Sequence, residues 1–417
     1  MVDKSQAADE PTKPLITPAI RHRDVIEDRT AFLRAVEEIA AGTGPIAIDA
    51  ERASGFRYSQ RAYLIQVYRR GADSYLFDPP AIGDMHDLPD AVGDVEWILH
   101  AATQDLTCLR EVGIDPTRIF DTELAARLLG MPRVGLGSVV AELLGIHLAK
   151  AHSAADWSTR PLPQSWLDYA ALDVELLVDL RDELAARLEA AGKSEIAAEE
   201  FASELERELV PVRQDPWRRL SGINSLRGSR ALAVARELWI ARDDYARETD
   251  IAPGRLVPDA SLVAAAKAMP TSKRALAAIK EFNGRASRSE LDRWWAAVER
   301  GLSTDDLPPT RVSSDTLPPP RAWADRNPEA AARLAVVRPA IAALAEQLSL
   351  PVENLLTPDH LRRVAWAPPE PITVETVRDA LAALGARRWQ IDATAQVIAE
   401  SIVDPPQVVE SAGEAGS

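Results

Sequence analysis

The sequence predicts an α/β domain followed by one or two small all-helical modules, and three observations carry that expectation. Short β-rich runs come first and helical periodicities are interleaved after them, the pattern of a sheet with helices packed on it. From Pro211 the texture changes to basic helices broken by Arg-Gly, Pro-Gly and Asn-Gly. Residues 301–322, rich in Pro, Ser, Thr and Asp, then read as a semi-extended linker before a last helical segment. A chain of 417 residues exceeds one typical core and suggests two or three domains.

Residues 1–15 are polar and proline-bearing without apolar periodicity, which predicts a disordered N-terminus. The first domain is expected over 16–208. Its opening helix is placed on Ala31 to Ile39, where Phe32, Leu33, Val36 and Ile39 share a face and Asp28 or Thr30 can cap the N-terminus. Ile46 to Glu51 reads as a short buried strand. Tyr63 to Tyr68 and Ser74 to Phe77, separated by Arg70-Gly71-Ala72-Asp73, read as an antiparallel meander with it.

Val95 to His100 precedes a helix from about Asp105 to Val112, and Ile119-Phe120 precedes another from Thr122 to Leu129. Gly130, Pro132, Gly135 and Gly137 break the chain before a helix from about Ser138 to Leu144. The irregular segment Lys150 to Pro163 follows, and Pro163 suits the start of one long helix to about Ala191.

The module over 213–300 has four helices: Ser229 to Ala246, Ala260 to Ala268, Lys273 to Lys280, and Ser289 to Arg300 with Trp294 and Trp295 near its centre. A further helical domain is expected over 323–403, and a disordered tail over 404–417. Pro258-Asp259 and Pro358-Asp359 each open a helix in similar surroundings, so the second module reads as a repeat of the first.

Composition bounds the function. With 46% hydrophobic and 27% charged residues and no apolar run of membrane-spanning length, the chain reads as a globular protein with no membrane partner. Cys108 is the one cysteine, so no internal disulfide forms, and a start without the features of a secretory signal fits a cytoplasmic location. Cys108 itself reads as a small buried hydrophobe. The net charge of −16 argues at first against nucleic acid. Its distribution argues otherwise: 17 Lys and Arg against 11 Asp and Glu between Arg213 and Arg300 leave a local +6, and the rest carries −22.

The chemistry centres on Asp49-Ala50-Glu51. Two carboxylates two positions apart at the end of a buried strand point to the same face. Such acids are costly to bury without a cation between them, and oxygen ligands suit a divalent ion such as Mg²⁺ or Mn²⁺. Asp105 begins a helix directly after a strand. Tyr169 and Asp173 stand one turn apart on a helical face. Alone, Asp105 could cap its helix, Tyr169 could be half-buried and Asp173 could lie on a solvated face; together, in consistent contexts, they point to a metal site.

The order Asp49, Glu51, Asp105, Tyr169, Asp173 resembles the DEDDy branch of the DnaQ-like 3′–5′ exonucleases, and the surroundings resemble the ribonuclease D family. Those surroundings include Leu64-Ile65-Gln66, His100-Ala101-Ala102-Thr103-Gln104-Asp105, Phe120-Asp121-Thr122 and Asp156-Trp157-Ser158-Thr159-Arg160-Pro161-Leu162. The basic module resembles the HRDC domain, a helical auxiliary unit of ribonuclease D and RecQ-type helicases. Where the family often places Phe or another bulky residue after its first acid pair, this chain has Arg52-Ala53-Ser54-Gly55.

The resemblance implies an RNase H-like mixed sheet flanked by helices, followed by one or two HRDC-like modules. It also implies a two-metal 3′–5′ exoribonuclease releasing nucleoside 5′-monophosphates in maturation or turnover of tRNA and other stable RNA. Asp49 would bridge two Mg²⁺ or Mn²⁺ ions roughly 4 Å apart, Glu51 and Asp173 would complete the first site, and Asp105 would support the second through water. One ion would generate hydroxide and the other stabilise the leaving oxygen, while Tyr169 would orient the attacking water.

The implied partner is the single-stranded 3′ end of RNA, bound by a monomer whose basic module anchors phosphates. A 3′–5′ DNA exonuclease acting in repair uses the same acids, and a catalytically silent nucleic-acid-binding scaffold is the reading from another class. Of the other polar residues, Asp121 is expected to cap the helix at Thr122, and Trp157 to pack in the core. Lys150, His152 and Arg160 could touch phosphates near the site or belong to a surface loop, and the scattered histidines do not suit zinc.

Overall fold

The structure is a computed structural model that describes residues 23–148, 154–207, 214–311 and 317–404. Among the described residues the first domain holds one mixed sheet of six strands: β1 (Val25–Ile26), β2 (Thr43–Arg52), β3 (Ala62–Arg70), β4 (Ser74–Phe77), β5 (Trp97–Leu99) and β6 (Ile119–Asp121). Their order across the sheet is β1-β4-β3-β2-β5-β6. The meander β2, β3, β4 is antiparallel, whereas β5 and β6 run parallel to β2, and β1 pairs parallel to β4. β2 extends beyond the expected strand at both ends, because its pairing with β3 runs from Thr43 opposite Arg70 to Arg52 opposite Ala62.

The register positions the chemistry. Asp49 pairs with Gln66 and Glu51 with Leu64, so both acids share one face of the sheet. β5 is matched to β2 only at Ile46 and Ala47, so the chain leaves β5 beside the part of β2 that carries Asp49. The opening helix, Arg29–Ala40, is capped by Asp28, whose side chain accepts from the Ala31 amide at 2.9 Å.

The single long helix expected from Gln164 to Ala191 is instead two, Gln164–Glu175 and Leu177–Ala190, broken at Leu176. No proline causes the break. The first helix packs over β2, β3 and β4 and the second over β2 and β5, so each follows a different part of a twisted sheet that one straight rod would leave. Helix Ser194–Glu206, not expected from the sequence, closes the edge beside β6.

The middle module has its own apolar core around Trp294, Phe282, Trp217, Leu238 and Val257. It contains more helices than the four expected. Pro253–Leu256 is an added turn, and a further short helix, Arg285–Ser289, precedes the last expected one, which spans Leu291–Ser303. Glycine is needed at one close approach there: a Cβ on Gly301 would lie 2.5 Å from the Val234 Cα, so the two longest helices of the module meet only because residue 301 has none.

The C-terminal helices show the same local order as the middle module, a one-turn helix Val352–Leu355 ahead of Pro358–Trp366. Their core is continuous with that of the first domain. Glu200 is buried against Arg387 and accepts from the Trp389 indole at 2.7 Å, and Lys193 donates to the Ser349 carbonyl at 3.1 Å. No helix among the described residues is long and apolar enough to cross a membrane.

Candidate active site

Asp49, Glu51 and Asp173 converge, each offering a carboxylate oxygen within 4.8 Å of the others. The two ends of this cluster have separate origins. Asp49 and Glu51 stand on β2, and Asp173 comes from helix Gln164–Glu175, buried against the sheet. Tyr169, one turn earlier on that helix, lines the same cleft of about 420 Å³ with His100, Gln104, Arg52 and Phe56.

Asp105 joins from the other side. It follows the short turn Ala102–Gln104 and precedes helix Leu106–Glu111, yet its side chain caps nothing. Its carboxyl instead lies beside that of Asp49, close enough for the two to share a hydrogen bond. Asp49 therefore sits between Asp105 on one side and the Glu51–Asp173 pair on the other.

The turn that delivers Asp105 is held from below. Ala101 adopts a left-handed conformation, φ 63°, a strained position for a residue with a Cβ. Asp121 accepts from the Ala101 amide at 3.0 Å and the Ala102 amide at 2.6 Å, and the same carboxylate caps helix Thr122–Leu128 through Glu123 and Leu124. The expected capping role is thus one of two. Glu204, pushed up to about 9 by burial and then by the charge of Asp121, is buried beside that carboxylate. His100 bonds Thr122 Oγ1 at 2.8 Å, and burial holds its imidazole below the usual range, hence neutral.

The electrostatics are those of acids gathered without enough positive charge. Burial raises Asp49, and the Ala50 amide, the Asp105 hydrogen bond and Arg52 oppose that rise. Glu51 is pushed up to about 9 by burial, then by the charges of Asp49, Asp173 and Asp105. Asp105 and Asp173 lie well above the ordinary carboxylate range, each by burial first and Asp49 second. Burial and the same acids raise Tyr169, so its hydroxyl stays protonated. Among the described residues, Arg52 is the cation whose charge is felt by Asp49, Glu51 and Asp105.

The donor set fits hard divalent ions: all-oxygen, anionic and closely spaced, with neither cysteine nor histidine in the cluster. Gln66, opposite Asp49, is fully buried with both amide atoms lacking a partner among the described residues. The sequence marks it as a polar residue in an apolar strand and as part of the Leu64-Ile65-Gln66 run that carries the family resemblance.

Other expected residues behave differently. Arg160 does not face the cleft as a free phosphate contact; it pairs with buried Asp78 at 2.6 Å and donates to the carbonyls of Tyr63, Trp157 and Thr159. Trp157 and Cys108 are buried as expected. Lys150 and His152 lie outside the described residues. Arg52, Phe56, His100 and Gln104 line the cleft without having been expected to, because loop curvature brings them there and no local period does. A larger groove, about 790 Å³, between β6 and helices Leu177–Ala190 and Ser194–Glu206, contains no comparable convergence of metal-binding side chains.

Comparison with known proteins agrees with this geometry. A family model described as 3′-5′ exonuclease matches residues 24–189, one described as HRDC domain matches 231–298, and one described as 3′ to 5′ exonuclease C-terminal domain matches 316–402. Ribonuclease D of Escherichia coli is 32% identical over 270 residues, 63% of this chain and 71% of that protein. Ribonuclease D of Granulibacter bethesdensis is 32% identical over 283 residues, 64% of this chain and 67% of that protein.

Among solved structures, a protein from Bifidobacterium adolescentis superposes with a TM-score of 0.86 at 39% identity, covering 94% of this chain and all of that one. Escherichia coli RNase D, described as an exoribonuclease involved in structured RNA processing, superposes with a TM-score of 0.66 at 26% identity, covering 87% of this chain and 98% of that one.

Proposed function

Because the chain belongs to the ribonuclease D family and is a divalent-metal-dependent 3′–5′ exoribonuclease, we propose that Asp49, Glu51, Asp105 and Asp173 hold its ions, that Tyr169 serves the attacking water, and that the substrate is the single-stranded 3′ end of tRNA or other stable RNA. The observation that carries this reading is the convergence of Asp49, Glu51 and Asp173 in one cleft, with Asp105 bonded to Asp49 and Tyr169 one helical turn from Asp173. Asp49 would be the shared ligand, since it stands between Asp105 and the Glu51–Asp173 pair. The ions, two of Mg²⁺ or Mn²⁺, supply the Lewis acidity that activates water and stabilises the departing 3′ oxygen.

The remaining work falls to the protein. A protonated Tyr169 donates or accepts through one oxygen and orients water toward the phosphorus. Arg52 offsets the acids and gives the cleft a cation for the scissile phosphate. Lys267, Arg274, Lys280, Arg285 and Arg288 are exposed and form no ion pair with any described residue, so the middle module, in a monomer, offers an anchor for backbone phosphates further from the 3′ end.

One assay tests the reading: purified protein, Mg²⁺ or Mn²⁺, and 5′-labelled single-stranded RNA and DNA of matched sequence. A metal-dependent ladder shortening from the 3′ end of RNA with release of 5′-monophosphates is expected. A DNA preference would reassign the substrate, and no metal-dependent product would make the protein a binding scaffold. Tyr169→Phe is expected to lower kcat by about 10- to 100-fold while KM changes little, since the lost oxygen acts on water and not on RNA. An unchanged kcat removes Tyr169 from the mechanism.

A further inference from the structure

The segment between β2 and β3, residues 53–61, forms no helix or strand, yet it contributes Ser54, Gly55 and Phe56 to the wall of the catalytic cleft. A wall of irregular backbone keeps its shape only if something outside it holds it. Part of the support is internal: the Phe56 and Arg57 amides both donate to the Ala53 carbonyl at 2.8 Å, and Arg57 donates to Ser158. The rest comes from the middle module.

Contacts with the middle module run along the segment from Gly55 to Arg61 and on to Tyr63. Arg255 donates to the Gly55 carbonyl at 2.6 Å and stacks its guanidinium 3.9 Å from the centroid of the Phe56 ring. The Ala252 amide donates to the Phe56 carbonyl at 3.0 Å. Tyr58 packs on the apolar core of the module and donates to Asp243 at 3.1 Å, while Arg247 donates to the Tyr58 hydroxyl at 3.2 Å. Asp250 accepts from the Ser59 amide at 2.9 Å and from the Tyr63 hydroxyl at 3.3 Å, and pairs with Arg61 at 3.4 Å.

These contacts are polar, specific and local, unlike the broad apolar continuity that joins the C-terminal helices to the first domain. They also reach the cleft directly: Gly55 and Phe56 are at once cleft-lining residues and the partners of Arg255.

We propose that the middle module is a structural half of the catalytic cleft, in which Arg255 and Asp250 are positioning residues that set the 53–61 wall, and not solely an anchor for distant RNA. Phe56, whose ring is backed by Arg255, offers the terminal nucleotide a π-face, and a wall displaced by an ångström misaligns the phosphate that the acids must reach. The inference rests on the cleft being the nuclease site.

The test uses two variants of the full chain chosen for opposite charge effects. Arg255→Ala removes a cation and Asp250→Gly removes an anion, glycine being suited to the left-handed backbone of residue 250, φ 49°. If the two side chains act by direct electrostatics on RNA, KM rises in the first and falls in the second while kcat holds. If they position the wall, both lower kcat on a four-nucleotide RNA, by about tenfold or more.

Amide hydrogen exchange over residues 53–61, measured without RNA or metal, gives a readout independent of activity. Both variants are expected to raise the exchange rate there by about tenfold and to leave it unchanged in β2. Unchanged exchange and kcat in Asp250→Gly, with a raised KM in Arg255→Ala, overturns the inference. An inactive wild-type protein would instead refute the nuclease reading, while the exchange data still decide whether the module holds the wall.

Discussion

Replacing Asp49 by alanine is expected to lower the rate of 3′-end shortening at least a thousandfold while the protein stays folded. On the proposed assignment Asp49 is the ligand common to both halves of the cluster, and its removal leaves Glu51 and Asp173 on one side and Asp105 on the other with nothing joining them. No second residue can substitute, because Asp105 lies outside the group of oxygens that Asp49, Glu51 and Asp173 bring within 4.8 Å.

The fold loses little, because the charge of Asp49 is among the causes that raise Glu51, Asp105 and Asp173. In metal-free buffer Asp49→Asn, which keeps the volume and an acceptor for Asp105, is expected to melt no lower than the parent. The measurements are single-turnover decay of 5′-labelled RNA and a thermal melt. A folded Asp49→Ala protein retaining more than a few per cent of the parent rate would remove Asp49 from the mechanism.

Metal binding is expected to become tighter as pH rises toward about 9. Glu51 has an ordinary value of 4.5 and is raised to about 9 in the fold, by burial and by its acidic neighbours. For an acid raised in this way, the metal-free fold holds a proton that the unfolded chain has lost. Its favourable contribution is complete below about pH 4.5 and declines as pH climbs through 9. An ion needs the carboxylate bare, so binding releases that proton, and the apparent affinity gains about tenfold per pH unit for each proton released.

Two consequences follow for the metal-free and metal-bound protein. Without metal, the melting temperature should fall between pH 6 and 9; with saturating Mn²⁺, where the bound fold and the unfolded chain hold the same protons, it should stay level, so the gap should widen with pH. Calorimetric titration in two buffers of different ionisation enthalpy counts the protons directly. Affinity independent of pH, with no protons released, would show that the acids are already ionised and that the cluster is not poised as described.

How far the site was legible in the sequence depended on distance along the chain. The shared face of Asp49 and Glu51 and the one-turn spacing of Tyr169 and Asp173 are properties of strand and helix geometry, and both stand in the structure as read. Asp105 was legible as a residue but not by its role, because its alternative as a helix cap has the same local signature; its bond to Asp49 exists only because β5 lies beside β2. Arg160, left open between a phosphate contact and a surface loop, shows the converse. Its partner Asp78 lies 82 positions away, and nothing near either residue announces the pair.

By itself, then, the sequence determined the periodic elements, the acids and tyrosine they carry, and the basic character of the middle helices. Only the tertiary structure decided that the long helix breaks at Leu176 to follow the twisted sheet, that the C-terminal helices share the first domain's core, and that Arg255 and Asp250 grip the wall of the cleft. The physical reason is one of range. Periodicity follows from the dihedral angles of neighbouring residues, which each segment carries within itself. Which segments meet is settled by burying apolar surface and satisfying polar groups across the whole chain, and contacts such as Gly55 with Arg255, 200 positions apart, leave no mark in either segment alone.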